Sequence, residues 1–136
     1  MAGKRSRILV VDDIPDWRKT FSGMLSEAGY KVDTADSVAN ALTALESQNF
    51  DLALIDIRLD ETDENNTDGL KLATSIKQRW PTVNIIIITG YETPETVKQA
   101  MEPQGADERL ANDFITKADI SGLLRSIQEL LGKQEG

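Results

Sequence analysis

The chain has 136 residues and a formal charge of −8, with no cysteine and no histidine. That composition excludes disulfides, thiolate zinc sites, cysteine nucleophiles and serine–histidine triads, and the acidity argues against a nucleic-acid surface, which needs a basic patch. No apolar run approaches the ~20 residues of a membrane span, so the expectation is one soluble, acidic, cytoplasmic domain covering 1–136, with a core at about 7–131 and a polar tail at 132–136.

Arg7 to Asp12 (RILVVD) is a continuous apolar run that ends on two acids, Asp12 and Asp13. Such a run suits a strand buried on both faces. Pro15 fits the first turn of a helix. Trp17, Phe21, Met24, Leu25 and Ala28 then recur at helical spacing, and Gly29 is a natural stop. Tyr30 to Ala35 reads as a weaker strand. Ser37 reads as the N-cap of a helix whose apolar face is Val38, Ala41, Leu42 and Leu45.

Leu52 to Ile55 is a second strongly apolar strand, and it ends on Asp56. Asp60 to Thr67 (DETDENNT) follows as a solvated acidic loop. Asp68 is a candidate cap for a helix marked by Leu70, Ala73 and Ile76, which Pro81 terminates. Val83 to Thr89 (VNIIIIT) is rich in β-branched residues. Thr93, Pro94 and Glu95 open a short helix broken at Pro103 and Gly105. Asp113 to Thr116 is a last strand leading to Lys117. Asp119 caps a final helix with Leu123, Leu124, Ile127, Leu130 and Leu131 on its apolar face.

Five βα units in succession predict a doubly wound α/β domain: a five-stranded parallel sheet in the flavodoxin-like order 2-1-3-4-5. In that order strands 1 and 3 flank the switch point, where open α/β sheets place their sites. Each polar strand end has an innocent explanation taken alone: Asp13 as a cap, Asp56 as a loop acid, Thr89 by strand propensity, Lys117 as a surface residue. As a set, Asp12-Asp13, Asp56, Thr89 and Lys117 fall at one sheet edge. Three crowded carboxylates need a cation, and an all-oxygen donor set favours Mg²⁺. A carboxylate can accept a phosphoryl group, whose charge a metal and a lysine neutralise while a hydroxyl donates to it.

On the motifs VVDD (10–13), LALIDIRL (52–59), DG (68–69), IIIITG (85–90) and FITK (114–117), the chain resembles the receiver domain of two-component response regulators, the CheY-like superfamily. The resemblance spans roughly Arg7 to Leu131. It implies Asp56 as phosphoacceptor, and Mg²⁺ held by Asp13, Asp56, the Arg58 main-chain carbonyl and, mostly through water, Asp12. It implies Thr89 as the hydroxyl that moves onto the phosphoryl group, Lys117 as ion-pair partner and Phe114 as the switch aromatic. Arg58 and Tyr91 flank the site by position and are candidate modulators of dephosphorylation.

The implied donor is a histidine kinase or histidine phosphotransfer protein, acting on a domain that signals rather than turns over substrate. The output domain or target is not legible, nor is whether the receiver stands alone. The chain departs from the family in its longer acidic loop, in extra residues before Phe114, and at Ala118. There the family typically has a proline behind a cis peptide, so the state of the Lys117–Ala118 bond is open. Two other readings are a phosphorylation-independent pseudo-receiver and a Mg²⁺-dependent phosphohydrolase working through an aspartyl phosphate. The second usually requires a DxD motif, whereas these first acids are adjacent.

Overall fold

The structure, a computed structural model, describes residues 6–57, 68–90, 103–104, 108–109, 111–117 and 119–132, with the backbone alone at 89, 103–104 and 108–109. The sheet is built from β1 (Arg7–Val11), β2 (Lys31–Ala35), β3 (Leu52–Asp56), β4 (Asn84–Thr89) and, fifth in the sheet, β7 (Asp113–Thr116). All its pairings are parallel, and the spatial order β2-β1-β3-β4-β7 is the expected 2-1-3-4-5.

Four helices are described: α1 (Pro15–Glu27), α2 (Val38–Ser47), α3 (Asp68–Arg79) and α4 (Ile120–Leu131). The helix expected from Thr93 lies outside the described residues. A second, two-stranded antiparallel sheet, β5 (Pro103–Gln104) with β6 (Glu108–Arg109), was not legible in the sequence. Among the described residues, no helix is long and apolar enough to cross a membrane.

Strand side chains alternate between sheet faces, and both faces here are apolar. Leu9, Val11, Ala53, Ile55, Ile85 and Ile87 point to one side and pack with Ala41 and Leu45 of α2 and Leu70, Ala73 and Ile76 of α3. Ile8, Val10, Leu52, Leu54, Ile86 and Ile88 point to the other, against Phe21 and Leu25 of α1 and Leu123 and Ile127 of α4. The central strand β3 is buried along its whole length, which is why it reads as an unbroken apolar run. A fully buried Leu or Ile contributes ~1.5–3 kcal/mol by removal from water, so these two layers dominate stability.

Helix ends follow their local chemistry. Ser37 Oγ accepts from Asn40 N–H at 3.1 Å, and Asp119 Oδ1 accepts from Gly122 N–H at 3.0 Å, so both expected caps form. Gly29 terminates α1 with φ 98°, a left-handed conformation that glycine adopts without strain. Asp68 is the first residue of α3 rather than its cap. Its carboxylate sits in the first helical turn, where the helix dipole favours an acid. At the amino edge of the sheet the Tyr30 hydroxyl donates to the Gly132 carbonyl at 3.0 Å, tying the end of α4 to the start of β2, and burial pushes the Tyr30 phenol up.

Candidate functional site

Register brings the acids together. Val11 of β1 is paired with Ile55 of β3, so the next residue on each strand, Asp12 and Asp56, lies side by side at the carboxyl edge. On the far side of β3, Asp56 is paired with Ile88; Thr89 in turn pairs with Thr116, immediately before Lys117. Alternation decides the face as well. Asp12 follows Ile8 and Val10, and Asp56 follows Leu52 and Leu54, on the side covered by α1 and α4. Lys117 continues Ile115 on that same side.

Lys117 Nζ lies 2.9 Å from Asp12 Oδ2 and 3.2 Å from Asp56 Oδ2. All three side chains are buried: Asp12 and Asp56 are each 1% exposed and Lys117 7%. Oxygens of Asp12, Asp13 and Asp56, one from each, lie within 4.8 Å of one another. Asp12 Oδ1 also accepts from Ile14 N–H at 2.9 Å, and the Arg18 guanidinium donates to the Asp12 main-chain carbonyl at 2.8 Å. These bonds fix the β1–α1 turn, in which Ile14 has no side-chain cap of its own and Pro15 opens the helix. Burial pushes the Asp12 carboxyl above its ordinary value, an effect that the Ile14 amide and Lys117 only partly offset.

The donor set suits a hard divalent cation. Ligands ~2.1 Å from Mg²⁺ lie at most about 4.2 Å apart across an octahedron, so three carboxylate oxygens at this spacing converge on one ion after a small inward shift, with waters completing the shell. Among the described residues the cluster sets three acids against one lysine, so a cation relieves repulsion.

The sheet thus brings together four of the residues singled out in the sequence: Asp12, Asp13, Asp56 and Lys117. Phe114 is half-buried and packs on the opposite face, against the α2–α3 layer. Arg58, Tyr91, Ala118 and the acidic loop 60–67 lie outside the described residues, as does the Thr89 side chain.

Two neighbours of the site were not legible. Lys117 Nζ sits over the Trp17 ring, 4.9 Å from its centroid. Gly69 N–H donates to the Ile57 carbonyl at 2.9 Å, and a Cβ at Gly69 would collide with the main-chain oxygen of Asp56. The Asp-Gly pair at 68–69 was the signal for the second. For Trp17 the helical stripe gave only burial.

Residues 8–128 match the family described as Response regulator receiver domain. The chain is 35% identical over 103 residues to the alginate biosynthesis transcriptional regulatory protein AlgB of Pseudomonas putida, a match covering 76% of this chain and 22% of that protein. It spans between 22% and 27% of the length of the curated relatives it matches. Among solved structures it is similar to the response regulator TrrA of Thermotoga maritima in complex with Mg²⁺–BeF, with TM-score 0.74 and 29% identity over 93% of this chain and 99% of that one. It is likewise similar to TrrA in complex with the histidine kinase ThkA, with TM-score 0.71 and 29% identity over 93% and 98% of the two chains. The family match spans most of the chain and the structural likeness covers the same parallel sheet, so the chain belongs to the response regulator receiver domains of two-component systems.

Proposed function

We propose that this domain accepts a phosphoryl group on Asp56 in a Mg²⁺-dependent reaction and relays the change to a partner or linked output domain. The observation that carries the reading is the convergence of Asp12, Asp13 and Asp56 with Lys117 Nζ between two of them, buried at the switch point of the sheet. In this reading the donor is a phosphohistidine protein, either a histidine kinase or a phosphotransfer protein. The likeness to a regulator solved with a histidine kinase supports the same choice.

In this reading a carboxylate oxygen of Asp56 attacks the phosphorus. The P–N bond to the donor imidazole breaks as the P–O bond forms, and the electron pair returns to the imidazole nitrogen, which takes a proton. Asp13, Asp56, the Arg58 carbonyl and, mostly through water, Asp12 would hold Mg²⁺, which would neutralise charge on the transferring oxygens. Lys117 supplies a second positive charge at Asp56 without leaving its strand end. The Thr89 hydroxyl then donates to the phosphoryl group, and Phe114 changes rotamer in response, altering the surface a partner reads. Arg58 and Tyr91 set the lifetime of the phosphorylated state by steering attacking water.

The test is incubation with a small-molecule phosphodonor and Mg²⁺. The expected result is an acid-stable, alkali-labile mass gain of one phosphoryl group that Asp56→Asn abolishes. An undiminished adduct in Asp56→Asn would remove Asp56 as acceptor, and no adduct in the native chain would favour the pseudo-receiver.

A further inference from the structure

Among the described residues, three groups of two chemical kinds surround the ammonium of Lys117. Two are carboxylates, Asp12 at 2.9 Å and Asp56 at 3.2 Å. The third is the face of the Trp17 indole, 4.9 Å from Nζ to the ring centroid, within the ~6 Å range of cation–π attraction. The indole is itself held in place. It stacks on Phe21, one helical turn further along α1, with centroids 5.4 Å apart and planes 20° from parallel, and Phe21 is fully buried in the core. A flat, neutral, immobilised surface therefore backs the lysine on the side that α1 covers.

The two kinds of neighbour respond differently to a divalent cation. Asp12 and Asp56 belong to the cluster whose oxygens such a cation would take, so cation and lysine compete for them. The indole offers no oxygen to a hard ion, and its hold on the ammonium is unaffected by that competition. A lysine that loses part of its bond to Asp12 has four rotatable bonds with which to leave the site unless something else retains it.

We propose that Trp17 is a positioning residue: its indole face keeps the Lys117 ammonium beside Asp56 while a divalent cation occupies the acid cluster. The proposal rests on the phosphoacceptor reading of the site for its consequence, but its geometry can be tested separately. The alternative is that Trp17 is only an apolar filler of the α1 stripe, for which leucine would serve as well as phenylalanine.

Two readouts separate these. The first follows the ε-methylene resonance of Lys117, assigned through Lys117→Arg, in protein with ¹³C-labelled lysine. Ring current from the indole should shift this signal upfield, the shift should persist at saturating Mg²⁺, and Trp17→Leu should abolish it. The second is the rate of phosphorylation by a small-molecule phosphodonor, with Mg²⁺ saturating for each variant. Trp17→Leu should slow it about five- to tenfold, and Trp17→Phe, which keeps a π face on the same stack, should recover most of the loss. An ordinary lysine chemical shift in the Mg²⁺-bound native protein, or equal rates for the leucine and phenylalanine variants, would overturn the proposal. A native protein that takes no phosphoryl group defeats the phosphoacceptor reading instead, and the resonance alone then decides the contact.

Discussion

The Nζ of Lys117 lies nearer to Asp12, at 2.9 Å, than to Asp56, at 3.2 Å. The lysine is therefore a bridge across the switch point, joining the ends of β1 and β3. Its charge compensates two buried acids at once, and its removal exposes both to each other.

Lys117→Ala should destabilise the fold by about 3 kcal/mol in the presence of a chelator, the typical cost of breaking a buried pair from one side. Proton uptake by the acids limits the loss. Mg²⁺ should restore a large part of it by supplying the missing positive charge. Urea unfolding with and without Mg²⁺ measures both effects, and a variant equally unstable in the two conditions would show that the lysine matters for packing and not for charge.

Asp12→Asn should be more stable than the native chain at pH 7 without metal. The folded Asp12 carboxyl is raised above its unfolded value of 3.8 because burial outweighs the Ile14 amide bond and the attraction of Lys117. The sign follows from linkage. The group's contribution is fully present below the unfolded value and is lost as pH rises through the folded one, where ionisation penalises the fold. The advantage of the asparagine should thus be greatest near neutrality and fade as pH falls through the acid range, and thermal unfolding from pH 3 to 7 tests it. Mg²⁺ should narrow the gap at pH 7 by favouring the native carboxylate.

Gly69→Ala should cost about 2 kcal/mol and slow phosphorylation as well. The added methyl meets the Asp56 main-chain oxygen, and backbone on both sides must yield. Gly23 has open space around it, so Gly23→Ala in α1 is the matched control and should be neutral or slightly stabilising. Urea midpoints for the two variants should diverge; coincidence would mean the β3–α3 approach is loose.

Much of this was legible because the central strands are buried on both faces. Ile8 to Val11, Leu52 to Ile55 and Ile85 to Ile88 have to be apolar without interruption, so the first polar residue after each run marks the sheet edge. That is why Asp12, Asp56 and Thr89 were legible as one sheet edge, while Lys117 was legible only as the residue that follows the shorter, partly exposed strand Asp113 to Thr116. What was hidden depends on which faces meet. The alternation that sends Lys117 to the α1 side, and the rotation of α1 that turns Trp17 toward it, are properties of packing between elements distant in sequence. The short β5–β6 pair was hidden for a simpler reason: two-residue strands carry no periodicity. Asp68 shifted from cap to first helical residue, the usual uncertainty of a helix boundary.

The bond from Tyr30 to the Gly132 carbonyl lies at the amino edge of the sheet, the full length of the strands away from the acids. Five residues of extended chain are roughly 16 Å, beyond the separation at which substitutions usually influence each other. The molecule therefore has two poles that can be altered independently. Sequence drift around Tyr30 can tune how firmly the last helix is moored while leaving the reactivity of the opposite pole untouched, so robustness and signalling chemistry can evolve on separate schedules within one small domain.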